Sequence, residues 1–440
     1  MTPGDREGAA ETERPDAGAE ESATRMEALP LTPQGRSSSR RTWVWERFIV
    51  DALFRRIGSP EVEIALWDGT VLGDRSAPQG RIVLQTPRAL RRLILNPRIG
   101  FGEAYMAHEL DVQGELIAVI TALNRGLSRC TPSRRAAAWS QWRPWLTHSL
   151  HQSRACVEHH YDIGNDFYRI WLDRQLVYTC AYYPQPQASL DEAQTAKLDY
   201  VCRKLRLKPG ERVAEAGCGW GALALHMARH YGVTVRAWNL SQEQIAYARQ
   251  RAVDEGLTER VTFLDDDYRH ITGEFDVFVS IGMLEHVGPR QYAGLGRLMD
   301  RVLAPRGRGL IHTIGRNYAR ALDPWTLKYI FPGACPPSLR QMMDLFESSG
   351  FSVLDVENLR LHYARTCADW LARYEQHIDR VREMYDETFV RMWRLYLAAS
   401  SAAFVNGDLQ LFQVVFNRAA DNTLLTTRAD WYSPPADSRT

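Results

Sequence analysis

Residues 211–232, ERVAEAGCGWGALALHMARHYG, decide the fold of this 440-residue chain. A short β-type run ends in the glycine-rich turn Gly217-Cys218-Gly219-Trp220-Gly221, which leads directly into a segment with helical spacing. Glycines in such a turn let the backbone approach a ligand closely and present the N–H groups of a helix N-terminus to it. The spacing is GxGxG and not the GxGxxG of dinucleotide-binding proteins, so the turn alone is also compatible with a purely structural connection.

Strands and helices alternate on both sides of this turn. Five candidate strands are separated by helical or loop sequence, which predicts a mainly parallel α/β sheet: ERVAEAG, VTVRAWNL, VTFLDDD, FDVFVSIG and GRGLIHTIG. Two further candidates, FSVLDVENL and LFQVVFNRA, lie on either side of the helical stretch 362–408. The pattern predicts a seven-stranded sheet that ends in a hairpin-like pair.

A smaller α+β domain is predicted over residues 43–125. A helix begins at Trp43, with Phe48, Ile49, Ala52, Leu53 and Ile57 at helical spacing. Three short strands follow, EVEIALWDG, TVLGD and RIVLQTP, with Asp68-Gly69 as a hairpin turn. The helical segment RALRRLILNP comes next.

Composition excludes several classes of protein. Lys plus Arg number 54 and Asp plus Glu 53, so the basic excess of a typical nucleic-acid binder is missing and no nucleic-acid partner is expected. There is neither an apolar run of about 18 residues nor a secretory signal, and the seven scattered cysteines fit a reducing compartment. We expect a cytoplasmic protein without a membrane-spanning helix.

Both chain ends are predicted to be tails. Residues 1–42 contain no aromatic residue and are rich in Ala, Gly, Pro, Ser and Thr, a composition that cannot bury enough apolar surface to offset chain entropy. They are predicted to be disordered, and 431–440 form a second tail.

The linker 126–157 has an unusual composition. No acidic residue occurs between Glu115 and Glu158, while arginines at 125, 129, 134, 135, 143 and 154 lie among tryptophans at 139, 142 and 145. Arg beside Trp is typical of segments that meet anionic lipid headgroups. A solvated linker whose tryptophans pack on a neighbouring domain explains the same composition.

Polar side chains cluster where the predicted strands end. Glu215 precedes the glycine turn, Asn239, Ser241 and Gln244 follow the second strand, and Asp266-Asp267-Tyr268 ends the third. Ligands bind at the carboxyl ends of strands in open α/β sheets. Such groups suit an adenosine with a ribose diol, and there is no Walker lysine to hold a triphosphate. S-adenosylmethionine (SAM) is therefore the predicted cofactor, and no metal is expected.

Four stretches are unusual enough to suggest chemistry: HHYDIGNDFY (159–168), VYTCAYYP (177–184), GMLEHVGP (282–289) and LIHTIG (310–315). Glu285 and His286 follow the fourth strand and His312 lies on the fifth, so they should face the bound cofactor. Each also has a plain structural explanation, as a helix cap or a core histidine. The aromatic residues at 161, 167, 168, 178, 182 and 183 form either a hydrophobic vestibule or ordinary core.

The order and spacing of HYDIGND, YTCAYY, AGCGWG, EHVG, HTIG and DPWTLKYIFPG resemble the cyclopropane-fatty-acyl-phospholipid synthases and the related mycolic acid cyclopropane synthases. The resemblance covers about 150–420 and, less strongly, FGEAYMAHELDVQGEL (101–116). It implies a class I SAM methyltransferase fold, Rossmann-like, over 158–430, with a lipid-binding-like N-terminal domain. It also implies transfer of a methylene group to the cis double bond of a phospholipid acyl chain by an enzyme peripherally associated with the inner face of the membrane. A homodimer is an expectation from the family.

The resemblance also assigns residues. The cofactor-contacting positions are Tyr178, Thr179, Glu215, Gly217, Cys218, Gly219, Trp220, Gly221, Asn239, Leu240, Ser241, Gln244, Tyr268 and Arg269. The positions that hold a bicarbonate ion are Cys180, Glu285, His312, Ile314 and Tyr363. A bound bicarbonate suits the chemistry, because a strong side-chain base could itself be alkylated by the sulfonium.

Three departures from the family pattern concern Ser400, Glu215 and Asn239. Ser400 replaces a cysteine of the late helix, Glu215 stands for the usual Asp, and Asn239 stands where Thr is common. Three alternatives stay open: a methyltransferase that stops at a methyl- or methylene-branched chain, a small-amine N-methyltransferase, and a lipid-binding protein with a vestigial enzyme domain.

Overall fold

The computed structural model describes residues 41–73, 78–129, 163–423 and 427–432. Most of the predicted tails, 1–42 and 431–440, and of the basic linker 126–157 lies outside these ranges. So do His159, His160, Tyr161 and Asp162 at the start of the HHYDIGNDFY stretch.

The N-terminal region is a small four-stranded sheet with helices. Its elements are α1 (Val44–Arg56), β1 (Glu63–Ala65), β2 (Val71–Gly73), β3 (Arg81–Leu84), α2 (Pro87–Leu95), α3 (Pro97–Met106), β4 (Leu110–Gln113) and α4 (Leu116–Arg129). The strand order is β2-β1-β3-β4, and β1 pairs with β2 antiparallel across the predicted turn at Asp68-Gly69. Gly69 has φ +84°, which favours glycine at this position.

The predicted first helix is present, and of the residues at its predicted helical spacing Ile49, Leu53 and Ile57 are half-buried. Val50 and Phe54 are buried, together with Glu46, whose Oε2 accepts a hydrogen bond from the backbone N–H of Trp43. Phe48 is 67% exposed and Ala52 is also exposed. Apolar residues occur on several sides of this helix, so spacing alone does not select the side that packs.

The larger region follows the predicted alternation of strands and helices. Its elements are α5 (Asn165–Trp171), α6 (Leu190–Lys204), β5 (Arg212–Ala216), α7 (Ala222–Tyr231), β6 (Thr234–Asn239), α8 (Gln242–Asp254), β7 (Val261–Asp265), β8 (Phe275–Ile281), α9 (Tyr292–Val302), β9 (Leu303–Gly315), α10 (Pro324–Tyr329), α11 (Leu339–Met342), α12 (Asp344–Glu347), β10 (Phe351–Asn358), α13 (Arg360–Gln376), α14 (Ile378–Met384), α15 (Glu387–Val405), β11 (Gln410–Arg418) and α16 (Ala429–Tyr432). Short 3₁₀ turns at 268–270, 284–286 and 289–291 follow the ends of β7 and β8.

The seven strands form one sheet in the order β10-β11-β9-β8-β5-β6-β7. Strands β5 to β9 are parallel, whereas β11 is antiparallel to both β10 and β9. The predicted α/β class, the seven strands and the terminal antiparallel pair are confirmed. Because the chain leaves β5 toward β6 on one side and returns to β8 on the other, the carboxyl end of β5 is the position where such a sheet binds ligands.

Buried side chains connect the two regions. Arg391 on α15 donates from Nε to the carbonyl of Tyr105 (2.5 Å) and from Nη2 to the carbonyl of Leu110 (3.0 Å). Gly102 on α3 leaves room for the indole of Trp325, because a Cβ there would lie 2.3 Å from Nε1. Across the described ranges, no helix is both long and apolar enough to cross a bilayer.

Candidate active site

One large cavity of about 2490 Å³ opens at the carboxyl ends of β5, β6, β8 and β9. It continues between the sheet and the N-terminal region, where Leu53, Phe101 and Leu127 line it. The polar end at the strand termini and the apolar far end therefore belong to one continuous space.

Most of the predicted site residues line this cavity. They are Tyr178, Thr179, Glu215, Gly217, Cys218, Gly219, Trp220, Asn239, Leu240, Gln244, Tyr268, Arg269, Glu285, His312, Ile314, Tyr363 and Ser400.

Three predicted site residues do not line it. Gly221 packs beneath the glycine turn, where a Cβ would lie 2.6 Å from Phe263 Cζ. Ser241 is buried and caps α8, accepting a hydrogen bond from the backbone N–H of Gln244. Cys180 is fully buried, and its thiol points to the carbonyls of Ala181 and Leu359. A side-chain contact with a ligand is therefore not seen for these three residues.

The end of the cavity beside the glycine turn, where the cofactor is predicted to bind, holds the buried carboxyl group of Glu215. Glu215 is buried, its Oε2 has no hydrogen-bond partner among the described residues, and burial raises the pKa of its carboxyl. Lys197 Nζ donates to Thr179 Oγ1 (2.9 Å), while burial lowers the pKa of the ammonium. The opposite charges of Glu215 and Lys197 favour each other's ionised form. A buried carboxylate with a free oxygen suits the amino group of SAM.

Hydrogen bonds hold the walls of this end. Asn239 Nδ2 donates to Gln244 Oε1 (2.6 Å), and Trp220 Nε1 donates to Asn165 Oδ1 (2.6 Å). Arg269 donates to the buried carboxylate of Asp267 from Nε (2.8 Å) and from Nη2 (3.0 Å). Above Gly219, which has φ +53°, a Cβ would meet no atom within 4 Å. The open turn and the free Glu215 oxygen fit SAM.

Two further buried polar atoms lie deeper in the cavity. Glu285 Oε1 accepts a hydrogen bond from the backbone N–H of Ile314 (2.7 Å), whereas its Oε2 has no partner in the part of the chain that the structure describes. His312 Nε2 is likewise buried without a described partner. Burial raises the pKa of Glu285 to about 7 and lowers the pKa of His312 well below its usual range. An acceptor and a neutral imidazole nitrogen therefore line the same space.

The tautomer of His312 follows from its neighbours. Lys204 Nζ lies 2.8 Å from Gln413 Oε1, and Gln413 Nε2 lies 3.0 Å from His312 Nδ1. Because an ammonium only donates, the amide oxygen of Gln413 must face Lys204 and its N–H₂ must face the imidazole. Nδ1 of His312 is then the acceptor, and the proton of the neutral ring is on Nε2, the nitrogen without a described partner.

Tyr363 and Ser400 complete this part of the wall. The ring of Tyr363 stacks on Phe404 with centroids 4.5 Å apart, and burial raises the pKa of the phenol well above its usual value. Tyr363 is therefore a neutral hydrogen-bond donor. Ser400 lies on α15 and also lines the cavity.

The aromatic vestibule is mostly core. Of the described members, only Tyr178 lines the cavity, with its hydroxyl 2.6 Å from that of Tyr396. Phe167 and Tyr168 are fully buried against Trp393 and Trp220, and Tyr182 stacks on Tyr200. Tyr161 lies outside the described residues.

Sequence reasoning missed Lys197, Lys204 and Gln413. One signal was present: Gln413 is a polar residue in the apolar run LFQVVF, on a strand buried along nearly its whole length. Such a residue needs an internal partner.

Comparison with known protein families gives two matches. Residues 148–414 match the model of the mycolic acid cyclopropane synthetases, and residues 49–129 match a domain of unknown function. The first match spans more than half of the chain.

Individual relatives agree with this assignment. The chain is 38% identical over 356 residues to a cyclopropane-fatty-acyl-phospholipid synthase of Escherichia coli, covering 80% of this chain and 91% of the relative. It is 34% identical over 392 residues to a probable fatty acid methyltransferase of Pseudomonas putida, covering 84% and 96%.

A solved structure gives the same result. The mycolic acid cyclopropane synthase CmaA1, complexed with S-adenosylhomocysteine and CTAB, superposes with a TM-score of 0.57 at 29% identity, covering 60% of this chain and 98% of that one. These findings support SAM as the cofactor and confirm the class I methyltransferase fold. The chain therefore belongs to the mycolic acid cyclopropane synthetase family.

Proposed function

We propose that this enzyme transfers a methylene group from SAM to the cis double bond of an unsaturated phospholipid acyl chain and forms a cyclopropane fatty acid. The observation that carries the proposal is the pair Glu285 Oε2 and His312 Nε2, two buried polar atoms without described partners in a cavity that continues into an apolar space. We propose Glu285, His312, Ile314 and Tyr363 as the site of a bicarbonate ion. Cys180 is left out of this site, because its buried thiol points to the carbonyls of Ala181 and Leu359 and does not line the cavity.

The reaction defines what the site must supply. An alkene is a weak nucleophile, and SAM supplies the electrophilic methyl group when bound. Methylation leaves a carbocation on the acyl chain, and the added methyl must lose a proton before the ring closes. Bound bicarbonate supplies a proton acceptor that the sulfonium does not readily alkylate.

The side chains orient that acceptor. His312 donates from Nε2–H and Tyr363 donates from its neutral phenol, whereas Glu285 Oε2 accepts a hydrogen bond. The rings of Tyr178 and Phe331, which also line the cavity, present aromatic faces that stabilise a cation. The polar groups and the aromatic groups thus serve two different parts of the reaction.

Replacing Gln413 by Leu tests the role assigned to His312. Leucine removes the donor to Nδ1, so the imidazole populates the wrong tautomer and presents a lone pair instead of Nε2–H. We expect kcat to fall by about 10- to 100-fold, a smaller loss than removal of a reacting group. SAM affinity, measured by calorimetry, should stay unchanged.

The control for this variant is Gln250→Leu on the exposed side of α8. Nitrogen-15 NMR of His312 should report protonation at Nε2 in the unmodified protein and a mixture of tautomers in Gln413→Leu. A normal kcat in Gln413→Leu would remove the tautomer argument.

We propose that residues 43–125 form a lipid-binding domain beside the catalytic domain (158–430) and that the enzyme works at the cytoplasmic face of the membrane. The support is an exposed apolar surface at the start of α1, formed by Trp43, Val44, Trp45 and Phe48, which are 58%, 83%, 55% and 67% exposed. Arg47 lies among them with its side chain 48% exposed. Aromatic residues beside arginine are typical of membrane-interface segments.

Replacing Trp43, Trp45 and Phe48 together by Ser should weaken vesicle binding at least about 10-fold, because three large apolar contacts are lost. Co-sedimentation with phosphatidylglycerol vesicles measures this, and circular dichroism checks that the fold is kept. A second variant, Arg134→Ser with Arg135→Ser and Arg143→Ser, measures how much the basic linker contributes to vesicle binding, so that its contribution can be distinguished from that of the α1 surface. If the triple Ser variant of α1 binds vesicles like the unmodified protein, this surface does not face the bilayer.

Expression in a bacterial host that lacks its own synthase tests the proposed function. Mass analysis of the membrane fatty acids should reveal a product that is heavier than a monounsaturated parent by one CH₂ unit and resists hydrogenation. A product that hydrogenation reduces to a methyl branch would replace the ring by a methylene branch. No new lipid would overturn the proposal and favour the amine or vestigial alternatives.

A further inference from the structure

A charged side chain outside the reaction site is buried in the same cavity wall. Arg316 is only 5% exposed, and it follows β9 in an extended conformation. His312, Ile314 and Arg316 line the cavity, whereas Thr313 and Gly315 do not, as expected for alternate residues of one extended segment. Four residues at about 3.3 Å each place the Cα of Arg316 roughly 13 Å from that of His312.

The guanidinium of Arg316 has no direct counter-ion among the residues that the structure describes. Its Nε is buried without a hydrogen-bond partner, and within the described ranges the structure records no ion pair for the side chain. Burying a cation without a partner is costly, and the cost is removed when an anion binds. Burial accordingly lowers the pKa of Arg316 to about 10.

The nearby carboxylates are engaged elsewhere. Asp408 accepts a hydrogen bond from Arg320 Nη2 (2.6 Å), and Asp323 accepts hydrogen bonds from the backbone N–H groups that begin α10. Both interact with Arg316 only at longer range. The remaining charged residues of this wall, Arg98, Arg340 and Asp344, are exposed. Arg316 therefore combines deep burial with the lack of a direct partner in the described part of the chain.

We propose that Arg316 is the base of an anion subsite that binds the phosphate of the lipid whose acyl chain reaches Glu285 and His312. The proposal rests on the proposed function, because it names the part of the substrate that lies away from the double bond. In a phospholipid the reacting double bond lies mid-chain and the phosphate lies beyond the carboxyl end, so the two groups need separate sites along one cavity. Arg316 directly follows β9, the strand that carries His312, and lines the same cavity.

Binding of short-chain lipids to the full-length protein tests this subsite without any turnover. Calorimetry compares dioctanoylphosphatidylglycerol, dioctanoylglycerol and inorganic phosphate on the unmodified protein, Arg316→Met and Arg316→Lys. Loss of a charge-assisted contact should weaken phosphatidylglycerol binding by about 10- to 100-fold in Arg316→Met and leave dioctanoylglycerol unaffected. Arg316→Lys should keep most of the affinity. Arg301→Met, an exposed residue of α9 that does not line the cavity, is the matched control, and unchanged SAM affinity shows that the fold is intact.

Three results would overturn the subsite. The first is equal phosphatidylglycerol affinity in Arg316→Met and the unmodified protein, and the second is an equal loss of affinity for both lipids in Arg316→Met. The third is a loss of inorganic phosphate binding alone, which would identify a site for a free anion. The fatty acid analysis in the expression host is independent of this measurement. If the host makes the ring product but Arg316→Met binds lipid normally, only the subsite is wrong. If the host makes no ring product but Arg316→Met selectively loses phosphatidylglycerol binding, only the proposed reaction is wrong.

Discussion

Replacing Glu285 by Gln should lower turnover by about 1000-fold while SAM affinity changes less than about threefold. The carboxylate is held by the backbone N–H of Ile314 at Oε1 and presents Oε2 to the cavity as an acceptor. Glutamine keeps the shape and can still accept the Ile314 hydrogen bond, but it presents an N–H₂ donor in place of Oε2. Loss of one preorganised electrostatic contact in a water-excluded site has an effect of about this size. We expect His312→Ala to behave similarly.

The measurement is steady-state formation of the lipid product together with calorimetry of SAM binding, with the exposed Glu259→Gln as control. The same carboxyl predicts a pH dependence. Because burial raises the pKa of Glu285 to about 7, the carboxylate fraction grows as pH rises through 7, and activity should rise with it. The residual activity of Glu285→Gln should not show this rise with pH. Near-normal turnover in either the Gln or the His312→Ala variant would contradict the proposed bicarbonate site.

Gly221→Ala should destabilise the protein and abolish measurable SAM binding. Gly221 has φ +82° and is the N-cap residue of α7, and a methyl group there would lie 2.6 Å from Phe263 Cζ and 2.9 Å from Ala248 Cβ. Both neighbours are buried, so the turn must shift, and the shift moves the backbone of Gly217 and Gly219 that faces the cofactor end. Overpacking of this kind costs about 1–3 kcal/mol beyond the backbone strain.

Gly210→Ala is a matched control for this substitution. Gly210 has the same φ of +82°, but no atom lies within 4 Å of the position that its added methyl group would take. Both variants therefore carry the strain of a positive φ, and only Gly221→Ala carries the clash. Thermal unfolding with and without SAM should show a lower melting temperature in Gly221→Ala than in Gly210→Ala, and ligand stabilisation in the control alone. Equal melting temperatures and equal SAM stabilisation would show that packing beneath the turn does not support the cofactor site.

The sheet was predictable because its signal is local. Strand-like segments of seven to nine residues that alternate with helical or loop sequence leave few alternatives to a mainly parallel α/β sheet. FSVLDVENL and LFQVVFNRA form the expected terminal pair. The face of α1 was not predictable from its spacing. Phe48 points outward although the helix has apolar residues on several sides, and only contacts with β2 and the rest of the small domain select Val50 and Phe54.

The candidate site likewise contains residues that the sequence predicts and residues that it does not. Residues placed at strand ends, such as Glu215, Asn239 and Glu285, were predictable because strand ends meet at one edge of a parallel sheet. Lys204 and Gln413 were missed because their contact joins a helix and a strand more than 200 positions apart in the chain. Arg316 was missed because its isolation from counter-ions is a property of the folded cavity and leaves no pattern in the sequence.

Ring formation on a phospholipid chain, with bicarbonate held by Glu285 and His312, can be measured directly on the purified protein. The protein is incubated with SAM and phosphatidylglycerol vesicles carrying cis-monounsaturated chains, in bicarbonate-free buffer and again with bicarbonate added. We predict a fatty acid product heavier by one CH₂ unit and resistant to hydrogenation, formed at a much higher rate when bicarbonate is present. Absence of that product, or a rate that bicarbonate does not change, would contradict the proposed reaction.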